Sequence, residues 1–568
     1  MAQPARDDDN ATTSAGPPIF ARAARIHPVR SRNGMVVAQE ARAAAIGRNI
    51  MRQGGNAVDA AVATGFALAV TLPRAGNIGG GGFMLVNLAK QGKTIAIDYR
   101  ETAPANTRPD VFLDASGNFM REKSQRSGLG VGVPGTVAGL ALAHRKYGSG
   151  KFTLAQLLVP AIRLAQEGLR VDADLADSLE WSTRRFRKYP ASRAIFMRDA
   201  TSALREGDML VQKDLARSLQ RIAAQGVKGF YTGETAMGIV AAVQGTGGTM
   251  TLADLASYEA KERTPVRGTY RGHTVVSMPP PSSGGVHIVQ MLNMLEHFPL
   301  AQMGHNSAAS IHVLAAAMKR AYADRSKYLG DPDFVAVPVK ALTSKAYAAQ
   351  LQRQISMDRA IPAKDIKPGN PLPFESDQTT HYSTVDAQGN AVSNTYTLNF
   401  TYGLGMVAAG TGILLNNELD DFAAKPNAPN AYGLLGGKAN APGPRKRPLS
   451  SMSPLMVFDE KGALEIVTGT PGGSRIITTV LQIVLNIVDH GMNAAEATIA
   501  PRVHHQWYPD TLNIERGISS DTQKLLKAKG YEIRQRRAMG AAQTIVRRDG
   551  WLYGANDTRR AGGAAVGY

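Results

Sequence analysis

The chain has 568 residues, 43% hydrophobic and 20% charged, with 58 glycines and no cysteine, which is a globular composition with a sizeable core or two or three domains. The missing cysteine excludes disulfides, thiolate nucleophiles and Cys-ligated metals. A formal charge of +19 attracts phosphates in principle, but Lys and Arg are scattered, only Arg445-Lys446-Arg447 is compact, and no aromatic-and-basic stripe offers a single-strand platform; a diffuse basic surface and no nucleic-acid partner are expected.

From the N-terminus, residues 1–32 are rich in Asp, Ala, Pro and Arg. They lack an apolar stretch long enough for a signal peptide and are expected to be a disordered tail. Either the protein is cytoplasmic or an export signal has been removed. Ala38–Gln53 reads as a helix stopped at Gly54-Gly55, and Asn56 is placed to cap a second, more apolar helix over Ala57–Val70. Asn77-Ile-Gly-Gly-Gly-Gly82 leads into strands at Phe83–Leu88 and Thr94–Arg100. A helix over Leu154–Glu167 is capped by Thr153, with Pro160 expected to kink or divide it. Another runs from about Ser307 to Tyr328, and Met278-Pro-Pro-Pro-Ser-Ser-Gly-Gly285 is a non-helical turn. No stretch reaches the roughly 18 consecutive apolar residues of a membrane span.

Gly369-Asn-Pro-Leu-Pro373 is a stiff extended connector. After it, His381–Val385 and Ala391–Leu398 alternate in side-chain type around a Gly-Asn turn, a hairpin pattern. Strands at Leu464–Thr468 and Thr511–Glu515, helices at Ser474–Asp489 (Ser cap, Gly491 stop) and Asp521–Lys529, and a terminal hairpin around Asp549-Gly550 follow. Interleaved strands and helices with no internal repeat indicate layered sheets of α/β or α+β class.

The chemistry concentrates at Gln378-Thr379-Thr380-His381-Tyr382, where the connector meets the hairpin. A hydroxyl here can attack the carbonyl of Gln378 and shift the acyl group from nitrogen to oxygen. Hydrolysis of that ester leaves Thr379 with a free α-amine that titrates near about 7.7–8.0. Such an amine accepts the proton of its own hydroxyl and makes a self-contained nucleophile and base. Taken alone, a Thr-Thr pair before a strand is explained by β-propensity.

The segment Gln378-Thr-Thr-His-Tyr-Ser383 closely resembles the maturation junction of the γ-glutamyltranspeptidases, members of the N-terminal-nucleophile hydrolase superfamily. The likeness spans about His27 to Tyr568. It includes Gly54-Gly-Asn-Ala-Val-Asp59, Asn77-Ile-Gly-Gly-Gly-Gly-Phe83, Asp98-Tyr-Arg-Glu101, Pro279-Pro-Pro-Ser-Ser-Gly-Gly285, Asn416-Asn-Glu-Leu-Asp-Asp421, Leu449-Ser-Ser-Met-Ser-Pro454 and Thr470-Pro-Gly-Gly-Ser474. The resemblance implies an α+β, four-layer αββα sandwich, with a large subunit over 33–378 behind the tail and a small subunit over 379–568, the two forming a heterodimer.

It also implies roles. Thr379 is nucleophile and base, Thr397 positions it, and the amides of Gly472 and Gly473 hold the oxyanion, a sensible place ahead of a helix. Arg100, Ser450 and Ser451 match the binders of a substrate α-carboxylate, for which a guanidinium is suited; Glu418, Asp421 and Asn399 match those of its α-ammonium. Phe422–Pro448 resembles a lid loop, with Tyr432 screening the site from solvent. The implied enzyme is a γ-glutamyltransferase and hydrolase acting on glutathione and other γ-glutamyl amides, with water or an amino-acid or dipeptide amine as acceptor. It uses no cofactor and no metal, and its implied setting is the periplasm after loss of a signal.

Competing readings attach to several of these residues. Asp420-Asp421 as a glycosidase pair fails on spacing, because such carboxylates stand about 5–9.5 Å apart across a bond. Gly79–Gly82 lacks the Lys-Ser/Thr of a phosphate loop; His504 and His505 point to opposite sides of a strand and make a poor metal pair; Asp331-Pro-Asp333 reads as a turn rather than a calcium loop. The alternatives for the whole chain are a glutaryl-cephalosporin-type amidase of the same superfamily, disfavoured by the lid, and a basic binding protein that never matures.

Overall fold

The computed structural model describes residues 26–367, 379–425 and 437–568. Two seven-stranded antiparallel sheets lie face to face. Across the first, the strands run Ala564–Gly567, Gly34–Ala38, Thr380–Asp386, Ala391–Thr397, Gly81–Leu88, Lys93–Tyr99 and Lys261–Arg263. Across the second they run Val29–Ser31, Trp551–Asn556, Gln543–Arg548, Leu464–Thr468, Leu455–Phe458, His273–Ser277 and Val266–Tyr270.

Period-two alternation sorts the side chains of the first sheet. Val36, Ala38, Val86 and Tyr382 pack with the helices Ala41–Arg52, Ala57–Thr71, Thr136–Tyr147 and Leu154–Glu167. Met35, Val37, Leu85 and Val385 face the second sheet, whose Met456, Ile466 and Ile545 share one core with the helices Gly284–Leu295, Ala308–Tyr328 and Arg475–Val488. The result is helix, sheet, sheet, helix, the expected αββα sandwich.

Local signals explain the elements that carry the site. Asn56 caps Ala57–Thr71 in a reciprocal box with Asp59, and Asp386, at the end of the Thr380–Asp386 strand, accepts from the Ala57 amide (3.0 Å). Every residue of that helix is buried, and it lies on the hairpin through the Tyr396 hydroxyl, which donates to the Gly65 carbonyl (3.0 Å).

Three local expectations change. Val29–Ser31, inside the span expected to be tail, is an edge strand paired with Leu552–Gly554. Leu154–Glu167 continues through Pro160 as one helix; Gln156, whose carbonyl loses its amide partner, is exposed and open to water. Ser474 takes helical backbone instead of capping, because its hydroxyl donates to Gln506 Oε1 (2.9 Å).

Candidate active site

Thr379 sits at the head of the Thr380–Asp386 strand and is 6% exposed. The register Thr380↔Tyr396, carried one residue further, sets Thr379 opposite Thr397. Thr397 is pinned from three sides. Its hydroxyl accepts from the Asn399 amide (2.8 Å), its carbonyl accepts from Asn77 Nδ2 (2.8 Å), and it pairs with Gly81 on the next strand. Asn77 also accepts from the Gly80 amide (2.9 Å) and the Thr136 hydroxyl (2.9 Å). The glycine run is therefore a close-packing device: a Cβ on Gly80 would lie 1.9 Å from the Thr397 carbonyl oxygen.

Thr379 and Gly472 line one cleft of about 380 Å³ with Thr401, Pro471 and Gly540. Gly472 and Gly473 have φ of 137° and 59°, values open to glycine but strained for other residues. They turn the chain into Arg475–Val488 and leave backbone N–H groups at a helix start, where negative charge is stabilised.

Asn399, which donates to the Thr397 hydroxyl and to the Asn417 carbonyl (2.8 Å each), links this centre to a buried charged pocket. Arg100 is wholly buried and donates to Glu418, to Asp421 (2.5 Å), and to the carbonyls of Pro448 (3.0 Å) and Leu449 (3.2 Å). Those last contacts bring it next to Ser450 and Ser451. The residues expected to receive a substrate's carboxylate and those expected to receive its ammonium thus touch one another, as buried opposite charges do. Glu101, also wholly buried, stands 3.8 Å from the Arg100 guanidinium.

Burial works against the charge on Arg100, but Glu418, Asp421 and Glu101 reverse this and raise it above its ordinary range. Burial pushes Glu418 well up, against Arg100, with Glu101 and Asp421 adding to the rise; burial also takes Glu101 to about 7 despite Arg100. Three carboxylates share one guanidinium. Among the described residues, Glu418 Oε2, Asn399 Oδ1, the Ser451 hydroxyl and both Glu101 oxygens have no hydrogen-bond partner. Buried polar atoms are normally satisfied, so several acceptors in this cluster are open to a polar partner.

The Ser450-Ser451 segment is held by the Pro279–Gly285 turn: Ser450 N donates to Pro281 O (2.7 Å), and Ser283 N (2.7 Å) and Oγ (2.9 Å) donate to Ser450 O. Gln378 and Tyr432 lie outside the described residues. Within Arg445–Arg447 the first residue is exposed and the other two are anchors: Lys446 donates to the carbonyls of Ala439 (3.0 Å) and Ala441 (2.9 Å), and Arg447 is buried beside Asp98 (3.5 Å). His504 bonds Thr478 Oγ1 (2.9 Å) while His505 faces Asp510 (3.2 Å), so the two diverge. Asp331 and Asp333 face Arg263 and Arg447.

Sequence reasoning did not single out Asn77, Glu101 or Gln39 as site residues. Gln39 lines the cleft and accepts from the Thr380 hydroxyl. An Asn two residues before four glycines, and a Glu directly after the chosen Arg, were the available signals.

The family model for gamma-glutamyltranspeptidase matches residues 43–567. The chain is 55% identical over 544 residues to the glutathione hydrolase proenzyme of Escherichia coli (strain K12), covering 95% of this chain and 93% of that protein. It superposes on the crystal structure of cephalosporin acylase from Bacillus halodurans with a TM-score of 0.86, at 28% identity, covering 98% of this chain and 99% of that one. Against Helicobacter pylori gamma-glutamyltranspeptidase the TM-score is 0.56, at 47% identity, covering 58% of this chain and 93% of that one.

Proposed function

The chain belongs to the gamma-glutamyltranspeptidase family, and on that premise we propose how its residues divide the work of a self-processing γ-glutamyltransferase and glutathione hydrolase. The Thr379 hydroxyl attacks the Gln378 carbonyl, the peptide nitrogen leaves as the Thr379 amine, and water hydrolyses the ester, giving a large subunit that ends at Gln378 and a small subunit over 379–568. In the mature enzyme that amine takes the proton of Oγ as Oγ attacks the γ-carbonyl of glutathione. The amides of Gly472 and Gly473 hold the oxyanion, and the proton passes from the ammonium to the departing amine. Thr397 orients the nucleophile. Arg100, Ser450 and Ser451 take the donor's α-carboxylate; Glu418, Asp421 and Asn399 take its α-ammonium. Water, or the amine of an amino acid or dipeptide, resolves the ester. Tyr432 screens the site, and no metal or cofactor takes part.

The observation that carries the donor assignment is the charged pocket linked to Thr397 through Asn399, where carboxylates outnumber guanidinium and acceptor atoms lack partners. A glutaryl group has no ammonium and would leave those acceptors unmet, so the amidase alternative is disfavoured. The test is side-by-side hydrolysis of γ-glutamyl and glutaryl anilides. Preference for the γ-glutamyl compound is expected, and equal or better use of the glutaryl compound overturns the assignment. A denaturing gel of active protein should show two chains, and Thr379→Ala one. The family resemblance also supports a periplasmic setting, to be checked by fractionation; among the described residues no helix is long and apolar enough to cross a membrane.

A further inference from the structure

Ser450 and Ser451 lie on a stretch gripped from both sides. On one side Arg100 holds the carbonyls of Pro448 (3.0 Å) and Leu449 (3.2 Å). On the other is the Pro279–Gly285 turn, which takes no part in the chemistry. Besides the bonds this turn makes to Ser450, its Ser282 hydroxyl donates to the Met452 carbonyl (2.8 Å). The two segments pack so closely that a Cβ on Gly284 would lie 1.9 Å from Ser453 Oγ.

Ser283 makes the decisive contact. Its hydroxyl has one proton and gives it to the Ser450 carbonyl (2.9 Å), while the same oxygen accepts from Nε of Arg325 (2.9 Å), a residue of the Ala308–Tyr328 helix. Ser283 and Arg325 are both wholly buried. A serine hydroxyl rotates to suit its partners, so a donor aimed at its lone pair fixes where the proton goes. A charged donor also polarises the hydroxyl and strengthens the bond it gives in turn. The carbonyl so held belongs to the peptide between Ser450 and Ser451. That unit is planar and trans, so fixing the carbonyl also fixes the Ser451 N–H, which points the opposite way. The Ser451 hydroxyl has no hydrogen-bond partner among the described residues, so its place depends on the backbone that carries it.

We propose that Arg325 is a positioning residue for the donor's α-carboxylate, acting through Ser283 to hold the Ser450–Ser451 peptide in its binding orientation. The inference rests on the donor reading above and adds the residues that keep this subsite in shape. The α-carboxylate is remote from the reacting carbonyl and is bound alike before and during reaction. Loosening its site therefore raises KM and leaves kcat in place. Self-cleavage at Thr379 uses no donor carboxylate and is independent of the arrangement.

The test uses two donors, γ-glutamyl anilide and 4-aminobutyryl anilide, the second keeping the amine but lacking the α-carboxylate. Each is assayed at high enzyme concentration with wild type, Ser283→Ala, Arg325→Lys and the double variant. Ser283→Ala removes one hydroxyl and should raise the γ-glutamyl KM about fivefold, the worth of one hydrogen bond. Its kcat, its 4-aminobutyryl turnover and its cleavage into two chains should stay within about twofold of wild type. Arg325→Lys keeps the charge without the fixed Nε donor and should give the same shift. Because both act through one bond, the double variant should also stay near fivefold; a loss of about 25-fold shows that Arg325 acts by another route and overturns the proposal. An unchanged γ-glutamyl KM in Ser283→Ala overturns it too, as does a variant that loses both donors equally or stays uncut, since the role is then general support. Equal use of the two donors by wild type sinks the donor reading instead.

Discussion

Replacing Gly80 by alanine tests whether Thr397 truly positions the nucleophile. The new Cβ falls 1.9 Å from the Thr397 carbonyl oxygen and 2.8 Å from Asn77 Oδ1. A carbon–oxygen contact needs about 3.3 Å, so the strand end must retreat by about 1.4 Å. Both obstacles are rigid, one being backbone and the other an amide held by four hydrogen bonds. Thr397 is the cross-strand neighbour of Thr379, and a displacement of about 1 Å at a reacting group costs on the order of 100-fold. Autocleavage, followed on denaturing gels over time, and γ-glutamyl anilide turnover should therefore each fall about 100-fold. Gly92→Asn is the control. It sits at a left-handed turn (φ 57°) with nothing within 4 Å of the added carbon, a conformation Asn tolerates. Gly80→Ala protein that matures and turns over within about threefold of wild type, a barrier change of under about 1 kcal/mol, refutes the reasoning.

Three further outcomes are expected. Asp421→Asn weakens the ammonium side of the pocket, so donor KM should rise about tenfold while cleavage into two chains proceeds; an unchanged KM counts against the assignment. Asp98 is wholly buried, 2.7 Å from Arg263 and 3.5 Å from Arg447, so Asp98→Asn strips a buried charge from its partners. It should cost about 3–5 kcal/mol, read as a lower unfolding midpoint, and an unmoved midpoint contradicts this. Burial holds His287, His381 and His504 down at about 3. Each stays neutral when folded and protonates near about 6.5 when unfolded, so the unfolded chain binds more protons. Stability should fall as pH drops from about 6.5 toward 3, by up to about 1.4 kcal/mol per pH unit for each histidine. Thermal melts of the Thr379→Ala precursor from pH 7 to 4 measure the slope, which His381→Gln should reduce; equal slopes would show that His381 is not a contributor.

What could be read in the sequence was what short stretches decide. Asn56 with Asp59 begins a helix, Asp549-Gly550 turns a hairpin (φ 51° and 73°), and the alternation after Thr379 makes a two-strand unit. Arg100, Glu418, Asp421, Ser450 and Ser451 were chosen by their likeness to family motifs and do come together in space. Their direct pairing was not legible, because charge partners are set by distance in three dimensions and the motifs lie far apart in the chain. Strand order was equally hidden: nothing near Gly34–Ala38 announces that its neighbours are Thr380–Asp386 and Ala564–Gly567. Ser474 shows the limit of local rules, since a hydroxyl suited to capping was claimed by Gln506 from another element.

The pairing of Gly34–Ala38 with Ala564–Gly567 has a bearing on when this molecule can fold. A ribosome delivers the first of these segments long before the second. Until the second is made, the first sheet lacks an edge strand, and until Trp551–Asn556 is made Val29–Ser31 has nothing to lie against. Closure of the sandwich is thus a contact of very high sequence separation, slow by nature. Thr379 can be brought opposite Thr397 within its own hairpin, yet the strand flanking it on the other side belongs to the earliest part of the chain. The backbone scission that creates the nucleophile is therefore expected only after Ala564–Gly567 has paired, and a variant without those four residues should accumulate uncut.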